Sequence, residues 1–266
     1  MQIINSKTNN RIKDLIKLKN YSKFRDDKSL FYVEGERIIS DSPINLIDSI
    51  YIQKSKVNNF TKIIEKYDNN KIFIISDDIF DKIKDTVNSQ GIIAILKYNL
   101  LTSLNKDLLS NSNSCLILDN INDPGNLGTI IRLSEATNIS FIILTNNCCN
   151  LYNTKVIRSC MSSIFRQNIY ISDDIAYDIK LLKENEFTIY STVLDNNSFK
   201  FYDRKYNKKS SFVFGNEANG ISNQILDISD YKIFIPMCGN IESLNVAVAA
   251  TAVCYEYMRQ NNYYEN

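Results

Sequence analysis

Three short stretches in the C-terminal half hold most of the residues that could do chemistry. The first is Asp119-Asn120-Ile121-Asn122-Asp123-Pro124-Gly125-Asn126-Leu127-Gly128, leading on to Arg132. The second is Phe214-Gly215-Asn216-Glu217-Ala218-Asn219-Gly220-Ile221-Ser222, and the third Ile235-Pro236-Met237-Cys238-Gly239-Asn240-Ile241-Glu242-Ser243-Leu244-Asn245. The chain has only seven glycines and three prolines, and five of the glycines and two of the prolines fall here. Glycine lets a backbone come close to a ligand and proline fixes a turn, so the clustering marks a site. There is no histidine. That removes Ser-His and Cys-His nucleophilic pairs and His-based metal sites. Chemistry must come from Arg, Lys, carboxylates, amides, hydroxyls or a cofactor.

Each stretch has a functional and a plain structural reading. In the first, Pro124 suits an opening helical turn. Gly128 and Arg132 are four apart and share a helix face. The plain alternative is a capped helix with a surface arginine. In the second, Gly215 and Gly220 make a turn that exposes backbone N–H groups. The alternative puts Glu217 in a first helical turn, where the dipole favours it. In the third, Ser243 is a good N-cap for the helix that follows. The run Val246–Ala250 is small and apolar all round, which predicts tight burial.

The surrounding pattern says how these stretches are held. Apolar runs predict strands at Cys115–Leu118, Phe141–Leu144, Asn168–Ile171, Thr188–Thr192, Ser211–Phe214 and Lys232–Ile235. Helices fit Gly128–Asn138, Asp174–Lys183, Ile221–Leu226 and Leu244–Gln260. Such alternation predicts an α/β fold with a mostly parallel sheet. All three stretches then lie at carboxyl ends of strands, where open α/β sheets bind ligands. Neither GxGxxG nor GxxxxGK[ST] occurs, which disfavours dinucleotide and Walker-type phosphate binding. The residues alone predict a small-molecule site of backbone N–H groups, amides and one Arg.

Upstream, a second small α/β unit is predicted. Ile12, Leu15, Ile16 and Leu18 have helical spacing. Strands fit Phe31–Val33, Leu46–Ile52, Lys71–Ile75 and Ile92–Tyr98, with helices at Glu34–Ser40, Phe60–Tyr67 and Asp77–Lys84. A polar linker in Thr102–Ser114 divides the chain into 1–105 and 106–266, in keeping with 266 residues at roughly 100–200 per domain. The net charge is only +1, yet residues 1–25 carry seven basic side chains against Asp14. Residues 1–110 hold 18 basic and 14 acidic groups, the remainder 13 and 16. This asymmetry favours an N-terminal surface facing a polyanion, with Lys17, Lys19 and Arg25 as phosphate contacts. A solvated helix face explains the charge equally well. No apolar run approaches the roughly 20 residues of a membrane span, and the N-terminus lacks a secretory apolar segment. Six cysteines without CxxC spacing read as reduced thiols of a cytoplasmic protein.

Taken together, LDNINDPGNLGTIIR, FGNEANGIS and IPMCGNIESLNVAVAA resemble, in order and separation, the three motifs of the SpoU/TrmH family of the SPOUT superfamily. These are S-adenosylmethionine-dependent RNA ribose 2′-O-methyltransferases. SKTNNRIKDL and FYVEGERII resemble the L30-like substrate-binding domain often fused to them. The resemblance covers nearly the whole chain. It implies a deep trefoil knot in the C-terminal domain and a homodimer with the site near the subunit interface. The apolar faces of the Gly128–Asn138 and C-terminal helices are the candidates for that interface. It implies S-adenosyl-L-methionine as cofactor, held by Gly215, Ile235 and Leu244, with Thr192 close by. It gives Arg132 the central catalytic role, as base or as electrostatic anchor. Asn126 would position Arg132 or the ribose, Glu217 would orient Arg132 or its loop, and Ser243 and Asn245 would hold the motif loops. Ser243 as a mere cap and Glu217 as a mere loop fixture remain alternatives. No metal is implied. The substrate expected is ribosomal RNA. The alternatives are tRNA, whose specific relatives usually lack the N-terminal domain, and a non-catalytic RNA-binding or ribosome-assembly protein on the same scaffold.

Overall fold

The computed structural model describes residues 1–195 and 197–261. They form two compact units. One comprises Met1–Asn99 with Tyr152–Phe165, and the other Leu100–Leu151 with Arg166–Asn266. The sequence reading, one cut near 105, does not foresee the return of 152–165 to the first unit.

The first unit is built on five strands: β1 (Gln2–Ile4), β2 (Leu30–Glu34), β3 (Ile47–Gln53), β4 (Ile72–Ile75) and β5 (Ile92–Lys97). Their order is β1-β4-β3-β5-β2. β1, β4 and β3 run parallel, and β5 runs antiparallel to both its neighbours. Helix α1 (Asn10–Asn20) buries Ile12, Leu15 and Leu18 against Tyr32, Phe73 and Phe80. Next come α2 (Ser22–Lys28), α3 (Glu36–Asp41), α4 (Thr61–Lys66) and α5 (Asp77–Ile83). α2 escaped the sequence reading because its surface is almost wholly polar. Tyr152 enters by stacking on Tyr98, with ring centres 3.9 Å apart, and meets Phe31 at 4.4 Å.

Arg25 corrects an expectation. It is buried, and its guanidinium donates to the carbonyls of Leu18 (2.9 Å) and Lys19 (3.3 Å) at the end of α1. Orphan carbonyls at a helix C-terminus need donors, and Arg25 supplies them from inside the unit. It is therefore no phosphate contact. Lys19 is likewise committed, donating to the Lys84 carbonyl at 3.0 Å. Lys17 remains exposed.

Among its described residues the second unit has seven strands, all parallel: β6 (Ser114–Leu118), β7 (Phe141–Thr145), β8 (Asn168–Ser172), β9 (Thr188–Thr192), β10 (Phe199–Lys200), β11 (Ser210–Phe214) and β12 (Tyr231–Phe234). Their order is β10-β12-β9-β11-β6-β7-β8. β6, β7 and β11 are buried throughout, as a sheet covered on both faces requires. Helices α6 (Lys106–Asn111), α7 (Pro124–Ala136), α9 (Ile175–Glu184), α10 (Asn223–Ile228) and α11 (Val246–Gln260) belong here, while α8 (Thr154–Cys160) lies in the first unit. The 102–114 stretch thus contains a helix, capped by Asn105 through the Leu108 N–H at 2.9 Å. The second unit's core gathers Leu116 and Ile117 of β6, Phe212 and Val213 of β11, and Tyr257 of α11. The Tyr257 hydroxyl ties α11 to the carbonyls of Lys208 (2.7 Å) and Asn113 (3.0 Å). One expectation for α11 fails: Val248 is 54% exposed, so the helix is not buried all round.

Asp178 on α9 yields a pH prediction. Burial foremost, with Asp174 and Asp173 adding, pushes its carboxyl above the usual range, against the Ser172 hydroxyl that donates to it at 2.5 Å. The folded state therefore holds this proton more tightly than the unfolded chain, whose Asp titrates near pH 4. Asp178's contribution is complete below that pH and declines as pH rises through the raised native value. Melting curves between pH 4 and 8 should show Asp178→Asn gaining on the native chain as pH increases. A difference constant with pH would contradict the account.

Candidate functional site

The predicted stretches converge. β6 and β11 are neighbours in register from Ser114↔Ser210 to Leu118↔Phe214. Both run the same way, so the first and second loops leave side by side at one edge. β12 joins on the far side of β9 and delivers the third loop to the same edge.

The local chemistry explains each loop. Asp123 caps α7, its carboxylate accepting from the Asn126 N–H at 2.8 Å, and Pro124 takes the first helical position. The helix therefore begins a turn before the expected Gly128, and Asn126 lies within its first turn. In the second loop Asn216 and Gly220 exchange backbone hydrogen bonds, at 3.1 and 2.8 Å. The Asn216 carboxamide oxygen accepts from Ala218 (2.8 Å) and Asn219 (3.2 Å). Glu217 thus sits in a tight turn, not in a helical first turn. A Cβ on Gly215 would lie 2.3 Å from the Gly220 backbone, so only glycine lets this turn close. In the third loop the cap of α11 is Asn245, not Ser243. Its carboxamide oxygen accepts from Ala247 (3.0 Å) and Val248 (3.3 Å).

Three predicted site residues, one per loop, form a relay. The Asn126 amide donates to the Glu217 carboxylate. The Asn245 amide donates to the Asn126 carboxamide oxygen at 2.9 Å. The direction is forced: an ionised carboxylate only accepts, so Asn126 must turn its NH2 to Glu217 and its oxygen to Asn245. That leaves the Asn245 oxygen for the α11 N-terminus. Beside this relay lies a cavity of about 440 Å³. Gly215, Glu217, Ile235, Ser243 and Leu244 line it, with Thr192 as expected. Leu194, Leu226 and Val246 add apolar wall.

Arg132 is not among the lining residues. It is exposed on α7, six residues beyond Asn126, or about 9 Å along the axis. Among the described residues it makes no hydrogen bond or ion pair. No thiol is poised for nucleophilic work in the core: burial pushes Cys160 and Cys254 up to about 12.

Sequence reasoning missed the residues that hold the loops together. Asp119 is buried, and its carboxylate accepts from the Ser222 N–H at 2.8 Å and the Asn120 amide at 2.9 Å. Asn120, at φ +57°, passes its carbonyl to the Asn216 amide at 2.9 Å. The signal was there: a carboxylate directly after five buried residues of a strand must find donors inside.

With this geometry in view, comparison with known proteins identifies the class. The SpoU rRNA Methylase family matches residues 113–255, and an MRM3-like substrate binding domain matches 9–94. The chain belongs to the SpoU rRNA methylase family. It is 27% identical to the 23S rRNA (guanosine(2553)-2'-O)-methyltransferase RlmP of Bacillus subtilis, over 96% of this chain and 98% of that one. It is 31% identical to an uncharacterized tRNA/rRNA methyltransferase of Borreliella burgdorferi, over 80% of this chain and 98% of that one. Its fold matches the SpoU methyltransferase AviRb of Streptomyces viridochromogenes, crystallised with AdoMet, at TM-score 0.82 and 21% identity, over 96% and 100% of the two chains. It also matches an AdoMet-bound rRNA methyltransferase of Sinorhizobium meliloti at TM-score 0.83 and 22% identity, over 97% of each chain.

Asp119 gives a test of the loop architecture. Asp119→Ala leaves the Ser222 N–H without its acceptor and should cost about 2–3 kcal/mol. Urea unfolding measures it, and an unchanged midpoint would refute the role.

Proposed function

We propose that this protein transfers a methyl group from S-adenosyl-L-methionine to a ribose 2′-hydroxyl of ribosomal RNA. The observation that carries the reading is the Glu217–Asn126–Asn245 relay, assembled from three distant loops, with Glu217 on the wall of the 440 Å³ cavity. The cavity suits the cofactor: backbone groups of 215–220 border one side, and Leu194, Ile235, Leu244 and Val246 give apolar surface for an adenine. When bound, S-adenosylmethionine supplies an electrophilic methyl group on a sulfonium.

The chain's own residues do the rest. A neutral 2′-hydroxyl is a poor nucleophile, so charge developing on its oxygen must be stabilised. Arg132 is the guanidinium we assign to this. Its planar fork of N–H donors suits it as an anchor for the 2′-oxygen and an adjacent phosphate. Asn126 and Asn245 fix the first and third loops to each other, and Glu217 ties the second loop to the first through Asn126. Ser243, on the cavity wall, offers a hydroxyl to the bound groups. We place the first unit as the RNA-binding unit, with the MRM3-like match as support.

A homodimer belongs to the same reading. Val248 and Tyr255, one heptad apart on α11, are 54% and 46% exposed, an apolar stripe suited to a second copy. A trefoil knot also belongs to it, supported by the insertion of β11 between the earlier strands β6 and β9. Among the described residues no helix is long and apolar enough to cross a membrane, and the six cysteines are free, which suits the reducing cytoplasm.

Arg132→Ala should reduce methyl transfer from labelled S-adenosylmethionine to 23S rRNA by at least about 100-fold. Calorimetry should show unchanged cofactor affinity. Full activity of the variant would overturn the assignment, and methylation of tRNA in preference to rRNA would overturn the substrate.

A further inference from the structure

The second unit is acidic overall, yet five of the thirteen basic residues between 111 and 266 fall in the eleven-residue run Phe199–Lys209. They are Lys200, Arg204, Lys205, Lys208 and Lys209, interleaved with Phe199, Phe201, Tyr202 and Tyr206. Two of these aromatics are placed where a core would not put them: Phe199 is 50% and Tyr202 46% exposed. Lys200, Lys205 and Lys208 are exposed beside them. Lys200 is loosely matched by Asp203 at 3.9 Å. Lys205 and Lys208 have no ion pair among the described residues.

Arg204 is the informative member. Its guanidinium lies 3.3 Å from the centre of the Tyr231 ring and 4.8 Å from that of Phe199. Its Nε is sheltered and finds no hydrogen-bond partner among the described residues. Its main chain is pinned by Gln260, which donates to its carbonyl at 3.0 Å. A guanidinium held by ring faces, with no carboxylate against it among the described residues, keeps its charge available for an anion.

The run is also next to the cavity. β10 pairs in parallel with β12, Phe199↔Ile233 and Lys200↔Phe234. The next residue of the β12 chain, Ile235, lines the cavity. Just before β10, Leu194 lines it too while remaining 72% exposed. Exposed aromatics therefore begin where the cavity wall ends.

We propose that Phe199, Tyr202 and Arg204 form a stacking platform for the single-stranded RNA flanking the modified ribose, with bases on the two rings and a phosphate on Arg204. Stacking suits this task because every base has a π-face, and unstacked bases are what a ribose in a loop or bulge presents. Lys205 and Lys208 add phosphate attraction. The platform rests on the methyl-transfer reading of the cavity, and it assigns the second unit a share of RNA capture.

The test uses the full chain and a fluorescent oligouridylate 12-mer, together with steady-state methylation of 23S rRNA. Phe199→Ala and Tyr202→Ala should each weaken 12-mer binding at least about fivefold through the loss of a stacked base. The same variants should raise KM for RNA with kcat and cofactor affinity unchanged, and Phe199→Trp should restore binding. Arg204→Gln should flatten the slope of log affinity against log salt by about 0.7. Unaltered affinity, KM and salt slope in these variants, with the native chain methylating normally, would overturn the platform alone. A native chain that binds the 12-mer through these residues but methylates no RNA would support the platform and overturn the function proposed above.

Discussion

The site depends on a hydrogen-bond direction. Glu217 carries only acceptors, the N-terminus of α11 carries only donors, and two asparagines lie between them. A carboxamide has one face of each kind, so Asn126 and Asn245 can be passed along the line in one orientation only. The relay thereby joins residues 91 and 119 positions apart in sequence. Any residue that lacked either face would break the polarity: an aspartate at 126 would oppose Glu217, and a lysine at 245 would leave the helix uncapped.

Beneath the relay, the backbone makes the convergence possible. A parallel sheet sends all its strand ends to one edge, and the order β12-β9-β11-β6 puts the three informative ends within that edge. Asp119 and Asn120 bind the first loop to the second before either meets the third. Gly215 and Gly220 then pack backbone against backbone, leaving the wall of the cavity free of side chains at that point. Such fixed N–H groups and walls need no rearrangement when a ligand arrives, which is what preorganisation means in energetic terms.

Electrostatics are distributed in a way net charge conceals. The first unit turns Arg25 and Lys19 inward to satisfy its own carbonyls, which removes two charges from the surface that composition assigns to it. The second unit, acidic in sum, concentrates basic and aromatic residues beside its cavity. Counting charges along a sequence treats every lysine as solvent-facing, and a carbonyl at a helix end is a sufficient competitor for one of them.

The sequence by itself determined the two α/β units, most strands to within a residue, and the three loops that meet at the cavity. Those follow from local properties: apolar runs long enough for a strand, and glycine or proline where the backbone must turn. Five of the eight singled-out residues line the cavity and two more join the relay with Glu217, because each lies on a loop or helix start that follows a strand whose place a parallel sheet dictates. Only tertiary structure decided that Asn245 rather than Ser243 caps α11, since either residue type can cap and the choice depends on where Asn126 waits. It alone returned 152–165 to the first unit through Tyr152 and its ring partners, and it alone buried Arg25. These are contacts between residues far apart in the chain, and no periodicity encodes which distant donor will reach a given acceptor.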